Sequence, residues 1–263
     1  MSAFSGTFWD IVRPIHGPVT RALRRRLGRE YFHHPEMELP PAYEAVQIEV
    51  ERKLHHYLHI PPSRVRQIVI VGANDGSEIH RLRRSYPECK FLCFEPSPKW
   101  FAELTNQFGG ADYVESRELA LGSTPGLATF HELPLAGNGS LLEPDRKHWA
   151  EFTQVTADEI ISFDVQVSVL DVEASSIEKI DLLWMDVQGA EGAVLKGAHE
   201  TLARTDAVFM EVALRDSPYR GAMLFSELDD LLSARGFSCV GLGADSRNYA
   251  GNALWVHDIA GRK

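Results

Sequence analysis

The chain is poor in cysteine, with only Cys89, Cys93 and Cys239 in 263 residues. Their spacing matches neither a zinc set nor a disulfide framework. Two fall in strand-like apolar runs, so they read as small buried residues in a reducing cytosol, and a cytoplasmic location is expected. No apolar run reaches the ~20 residues that span a bilayer, and no secretory leader is visible. Positive charge is in deficit: 27 Lys and Arg stand against 37 Asp and Glu, a formal net charge of -10. That balance argues against a nucleic-acid partner, whose affinity rests on neutralising phosphates. A glycine is missing as well. The turn Gly72-Ala73-Asn74-Asp75-Gly76 holds only two of the three glycines of a G-x-G-x-x-G fingerprint, so close passage of a pyrophosphate is not provided for.

What is present is enough for a sizeable core. A hydrophobic content of 44% and a charged content of 24% fit one large α/β domain over 63–263, with an N-terminal helical extension and linker over 1–62. Residues 1–30 recur as apolar positions at near-helical spacing (Phe4, Phe8, Ile11, Val12, Ile15, Val19), with six arginines between 13 and 29 and no acid among them. Such a segment either lies on an anionic membrane surface or packs on the domain or on a second subunit, making a homo-oligomer. Residues 31–41 read as a linker. Tyr43 to Leu58 is an amphipathic helix with Val46, Val50, Leu54 and Leu58 on one face. His55, His56 and His59 near its end lack a carboxylate partner and read as helix-terminal solvation.

The organising stretch is Arg66 to Pro96. Ile68 to Val71 is a continuous β-branched run, as in a strand buried on both faces of a parallel sheet. It ends at Gly72, and a helix follows from Ser77 to Tyr86, with Ser77 or Asp75 as cap. A strand that breaks into a glycine turn and opens a helix presents backbone N–H groups, lets a ligand approach the main chain and favours a carboxylate at the helix end. The second strand, Phe91 to Phe94, delivers Glu95 where an adenosine's ribose hydroxyls are bound in doubly wound folds. A phosphate-free nucleoside fits this arrangement, and S-adenosylmethionine is one.

Val-Gly-Ala-Asn-Asp-Gly-Ser-Glu with Phe-Glu-Pro-Ser-Pro resembles the first two motifs of class I S-adenosylmethionine-dependent methyltransferases. Ile180 to Ala198, containing Met-Asp-Val-Gln-Gly-Ala-Glu-Gly, resembles the signature of the FkbM family, whose usual form has Glu where this chain has Gln188. The resemblance covers roughly Ile68 to Val212. It implies a Rossmann-like seven-stranded methyltransferase sheet with helices on both faces. The implied cofactor contacts are Gly72, Ala73, Asn74, Asp75, Gly76 and Glu78 in the turn, Glu95 and Pro96 after the second strand, Ala120 near the adenine, and Asp186. Leu119 is a further adenine-side candidate.

The remaining order is consistent with that sheet. Pro98 to Phe108 reads as a helix, Tyr113 to Leu121 as the third strand, and Leu127 to Leu133 as an added strand. The Ala136-Gly137-Asn138-Gly139-Ser140 loop belongs to an insertion over about 123–164 that faces the substrate. Val165 to Val172 alternates as a strand. Ile180 to Met185 and Ala207 to Met210 are the fourth and fifth core strands, delivering Asp186 and Glu211. Leu224 to Leu232 is a helix, and Phe237 to Leu242 with Ala253 to Val256 forms a closing hairpin through Asp245 and Asn248.

Asp186 and Glu211 are the candidate catalytic residues, Asp186 as base or acceptor-orienting group. Glu191 either caps its helix or takes part in the chemistry, and His131 and His148 read as surface histidines. Some class I O-methyltransferases hold a divalent ion at the ends of strands four and five. Asp186 and Glu211 match that placement, with Asn138 as a third ligand, and oxygen donors of this kind suit Mg2+. The expected activity is methylation of a hydroxyl on a sugar, glycan or other small metabolite. A nucleotide-dependent oxidoreductase and a non-catalytic cofactor-binding or scaffold domain are the alternatives.

Overall fold

The computed structural model describes residues 43–133, 137–153, 160–244 and 249–258. The basic segment over 1–30, the linker over 31–41 and the turn through Asp245 and Asn248 lie outside the described residues. The central sheet has seven strands: β1 (Gln67–Val71), β2 (Lys90–Phe94), β3 (Val114–Arg117), β7 (Leu182–Met185), β8 (Ala207–Ala213), β9 (Phe237–Ala244) and β10 (Ala250–His257). Their spatial order is β3-β2-β1-β7-β8-β10-β9. Only β10 runs against its neighbours, pairing antiparallel with both β8 and β9.

Residues 68–71, 91–94, 182–185 and 207–210 are apolar at every position because both faces are covered. Val69, Val71, Leu92, Phe94, Leu183, Met185, Val208 and Met210 belong to the core on one face. Ile68, Ile70, Phe91, Cys93, Leu182, Trp184, Ala207 and Phe209 belong to the core on the other. Helix α1 (Tyr43–Tyr57) adds Val46, Val50 and Leu54 to that second core. Helices α2 (Ser77–Ser85) and α3 (Pro98–Phe108) add Ile79, Leu82, Leu104 and Phe108. Cys89 and Cys93 are buried free thiols. No helix among the described residues is long and apolar enough to cross a membrane.

The third strand departs from expectation. Tyr113 to Leu121 does not run on as one element. β3 stops at Arg117, and β4 (Ala120–Leu121) joins a separate three-stranded sheet with β5 (Gly126–Glu132) and β6 (Ile161–Ser168), in the order β4-β6-β5. The partner strand is the cause. β2 ends at Phe94, opposite Arg117, and the Glu95 N–H closes the ladder on the Arg117 carbonyl at 3.2 Å. Beyond that there is no edge to pair with, and Ala120 pairs instead with Val167 of β6. The insertion supplies β5, the helix α4 (Arg146–Thr153) and the first half of β6. β6 begins and ends earlier than its alternation suggests, because Leu170 leaves the pattern to enter the core through the short helix α5 (Leu170–Glu173). The loop of the insertion is tied to β5 by reciprocal bonds between His131 and Ser140.

Candidate active site

Register assembles the site. Val71 pairs with Phe94 on one side and Met185 on the other, and Met185 pairs with Met210. The next residues, Gly72, Glu95 and Asp186, therefore leave the same edge of the sheet side by side, where open α/β sheets bind ligands, and Glu211 lies next to Asp186 within β8. One cleft there, about 760 Å³ counted out to its open mouth, is lined by Gly72, Asn74, Glu78, Glu95, Pro96, Ala120 and Asp186 among others. Ala73, Asp75 and Gly76 build the turn behind it. The Gly72 and Ala73 N–H groups both bond to the Phe94 carbonyl, at 2.9 and 3.0 Å, and Asp75 Oδ1 accepts from the Ser77 N–H at 3.0 Å.

The reason for the two glycines differs from expectation. Both have left-handed backbone (φ +81 and +80). A Cβ on Gly72 would lie 1.9 Å from the Asp186 carbonyl oxygen, and one on Gly76 would strike Phe108 and Leu104 at 2.6 and 2.7 Å. Packing of the chain against itself, more than access for a ligand, demands glycine at both. The helix end is also partly used, since Asp75 takes the Ser77 N–H and the Gly76 carbonyl takes the Ile79 N–H.

Glu95 is 5% exposed. Its Oε2 accepts from the Asn74 N–H at 2.8 Å and its Oε1 from the Ser97 N–H at 2.9 Å. Burial pushes its carboxyl up to about 7, against the pull of the two N–H donors, with Glu132 and Asp186 adding to the rise. Each oxygen keeps a second lone pair, and the cleft is where a pair of ribose hydroxyls would meet them. Glu132, at the end of β5, also lines the cleft and accepts from the Ser97 hydroxyl at 2.6 Å.

Asp186 lies exposed on the cleft wall. The surrounding protein mass and the facing Glu211 hold its carboxyl well above the usual range, offset by a bond from Gln188. Because water reaches it, the neighbouring carboxylate dominates until a ligand displaces that water. Glu211 is not the last residue before a loop: β8 continues to Ala213, and Glu211 pairs with Asn252 of β10. Glu191 is buried and serves the turn, its Oε1 accepting from the Val187 and Gly189 N–H groups at 3.2 and 3.3 Å. His131 bonds to Ser162 at 2.9 Å and His148 lies 3.6 Å from Asp216, and neither lines the cleft.

The expected metal set does not fit. The Gln188 amide nitrogen stands 2.8 Å from both Asp186 Oδ1 and Glu211 Oε2, so a cation between the two acids would face N–H hydrogens. Asn138 meets this group through its backbone, its carbonyl 3.4 Å from the Tyr219 hydroxyl. Among the described residues no three His, Cys, Asp or Glu side chains are placed to hold a metal ion.

Sequence reasoning missed Trp100, Phe130, Glu132 and Leu141 on the cleft wall and Gln188 and Tyr219 behind it. The one available signal is Gln188 itself, a polar residue between a strand-end acid and a glycine. Four carboxylates line the cleft (Glu78, Glu95, Glu132 and Asp186), with no Lys, Arg or His among its described lining residues.

A doubly wound sheet of this order, with an acid-lined cleft across its strand ends, is the Rossmann-like fold of methyltransferases. The methyltransferase FkbM domain matches residues 71–239, and the chain belongs to that family. The 2-O-methyltransferase NoeI of Sinorhizobium fredii is 34% identical over 175 residues, covering 63% of this chain and 70% of its own length. The methyltransferase sdnD of Sordaria araneosa is 32% identical over 156 residues, covering 51% of this chain and 60% of its own. Among solved structures, Aeropyrum pernix fibrillarin with bound S-adenosyl-L-methionine shares 11% identity at a TM-score of 0.44, covering 75% of this chain and 69% of that one. That last likeness is too loose to carry an argument. Family membership makes the chain an S-adenosylmethionine-dependent methyltransferase in kind and leaves the oxidoreductase reading without support.

Proposed function

We propose that the chain methylates a hydroxyl oxygen of a sugar or another small polyhydroxylated metabolite. The observation that carries this reading is the pair Asp186 and Glu211, set side by side just past the paired residues Met185 and Met210, with Asp186 on the cleft wall. The named activity of NoeI, a 2-O-methyltransferase, agrees with it.

The cofactor supplies a methyl group on a positively charged sulfur, which an oxygen attacks in line. Glu95 and the Gly72–Gly76 turn bind the nucleoside, and Asn74 and Glu78 line the neighbouring wall. Asp186 then faces the transfer. A hydroxyl is a poor nucleophile while it keeps its proton. With the cofactor bound, Asp186 would take the proton of the acceptor hydroxyl as that oxygen receives the methyl group from sulfur. A base in hydrogen-bonding reach contributes typically 10²–10⁴-fold, and alignment contributes several kcal/mol more. The raised carboxyl of Asp186 suits this work near neutral pH, where a base has to be both ionised and willing to accept a proton.

The test is transfer of labelled methyl from S-adenosylmethionine to a panel of neutral sugars and polyols, with the product's methylated atom located by NMR. O-methyl product is expected, lost by more than 100-fold in Asp186→Asn while S-adenosylhomocysteine binding stays within about threefold. Methylation at nitrogen or carbon alone, or full activity in Asp186→Asn, would overturn the reading.

A further inference from the structure

Gln188 ties Asp186 and Glu211 together from an unusual backbone position. It is a non-glycine residue in left-handed backbone (φ +53), followed by Gly189 at φ +93, a conformation that persists when the surroundings hold it there. Those surroundings are specific. The side-chain nitrogen donates to Asp186 Oδ1 and to Glu211 Oε2, both at 2.8 Å. The side-chain oxygen accepts from the Tyr219 hydroxyl at 3.0 Å. The backbone carbonyl accepts from Ser140 Oγ in the insertion at 2.9 Å.

An amide has two N–H donors and one carbonyl, and here all three are engaged. The nitrogen donates to the two carboxyl groups, and the Tyr219 hydroxyl donates to the oxygen. Tyr219 is itself buried, packed against Trp149 at 5.9 Å between ring centroids, and belongs to the cluster that contains Leu133 and Trp149. The amide is therefore fixed from behind by a tyrosine that cannot swing away. Its two hydrogens occupy the space between the two carboxyl groups.

Resting on the reading that Asp186 faces the acceptor, we propose that Gln188 is the positioning residue of the site: its amide, held by Tyr219, joins Asp186 to Glu211 in place of a divalent cation. The neutral donor does what a bound ion would do geometrically, holding two carboxylates at one fixed separation. It adds no charge and leaves no vacant coordination position. A carboxylate at 188 would reverse this. Three acids would converge where an amide now sits, and oxygen sets of that kind take divalent ions.

Mn2+ serves as the probe, followed by electron paramagnetic resonance and calorimetry on the full chain. The wild type is expected to show no saturable binding below millimolar concentration. Gln188→Glu should bind Mn2+ at least tenfold more tightly, and Gln188→Glu combined with Asp186→Asn should return to the wild-type level. Gln188→Ala, which removes the amide and leaves the acids, should also gain binding, which keeps the proposal testable if the Glu variant misfolds. A residue that only filled space would change the melting temperature and create no ion site. The proposal fails if wild-type protein binds Mn2+ with an affinity that drops tenfold in Asp186→Asn. It fails equally if both Gln188 variants stay folded and bind Mn2+ no better than the wild type. S-adenosylhomocysteine is titrated into the same samples, so a wild type that does not bind it would count against the methyltransferase site itself, whatever Mn2+ does.

Discussion

Replacing Glu95 by glutamine tests the cofactor site most directly, because this side chain has a defined number of bonds to lose. Its two oxygens each hold one backbone N–H, from Asn74 and Ser97, and keep one lone pair for a ribose hydroxyl. Glutamine preserves the shape and one oxygen but puts an NH2 group where an acceptor stood. One charge-assisted bond to the ligand disappears, worth about 1.5–3 kcal/mol. At 1.4 kcal/mol per tenfold, a central value of about 2 kcal/mol weakens binding roughly 30-fold. The same exchange points an amide N–H at a backbone N–H, so a lower melting temperature is expected with it. Calorimetric titration with S-adenosylhomocysteine at pH 8 measures the first effect and thermal unfolding the second. The pH adds a separate signature. With its carboxyl pushed up to about 7, wild-type Glu95 loses its charge between pH 8 and pH 6, and cofactor affinity should fall over that window. The amide in Glu95→Gln does not titrate, so most of that slope should vanish in the variant. Binding within twofold of wild type in Glu95→Gln, at an unchanged melting temperature, would show that the adenosine does not rest on this acid.

Two other perturbations probe the frame around the site. Gly72→Ala should fail to fold or lose several kcal/mol, because its Cβ would sit 1.9 Å from the Asp186 carbonyl in left-handed backbone; a soluble variant melting within 2 °C or so of wild type would refute this. Glu191 is buried, with its carboxyl pushed up to about 7 by burial. A carboxyl with a raised folded pKa binds its proton more tightly when folded, so its contribution is fully present below its unfolded value near 4.5 and lost as pH rises through about 7. Glu191→Gln should therefore gain in melting temperature relative to wild type between pH 5 and pH 8, and a difference that stays flat would refute the assignment.

The parts of this molecule legible in its sequence are those decided locally. Ile68 to Val71 and Phe91 to Phe94 are apolar at every position because both faces of the sheet are covered, and the runs stop where Gly72 and Glu95 begin. Asp186 and Glu211 stand out for the same reason, as acids set at or beside the ends of apolar runs. What escapes is decided by a partner strand or a distant residue. Nothing within Tyr113 to Leu121 states that β2 has already ended opposite Arg117, and the strand breaks there. Gly72 reads as an opening for a ligand, yet its reason lies far along the chain, at the Asp186 carbonyl. The Gln188 bridge needs the β7–β8 register and the Tyr219 hydroxyl at once, and only the folded chain brings them together.

The charge of the cleft bears on which nucleoside it takes. Glu78, Glu95, Glu132 and Asp186 line it with no cationic side chain among the described lining residues, and Glu78 bonds to Arg81 at 2.7 Å. The missing third glycine and this acid lining point the same way, since a phosphate would be crowded by the backbone and repelled by the walls. A phosphate charge about 7 Å from one ionised carboxylate costs roughly 2 kcal/mol at an effective dielectric of about 20. Screening by salt reduces that figure, and proton uptake by the raised carboxyls reduces it further. A cationic sulfur in the same place gains what the phosphate loses. Adenosine should therefore displace labelled S-adenosylhomocysteine at least tenfold more effectively than adenosine 5′-monophosphate at pH 8 and low salt, with the gap narrowing as salt is added. If the monophosphate competed as well as adenosine, the carboxylates would have to lie out of reach of the 5′ position, and the nucleoside would sit in the cleft the other way round.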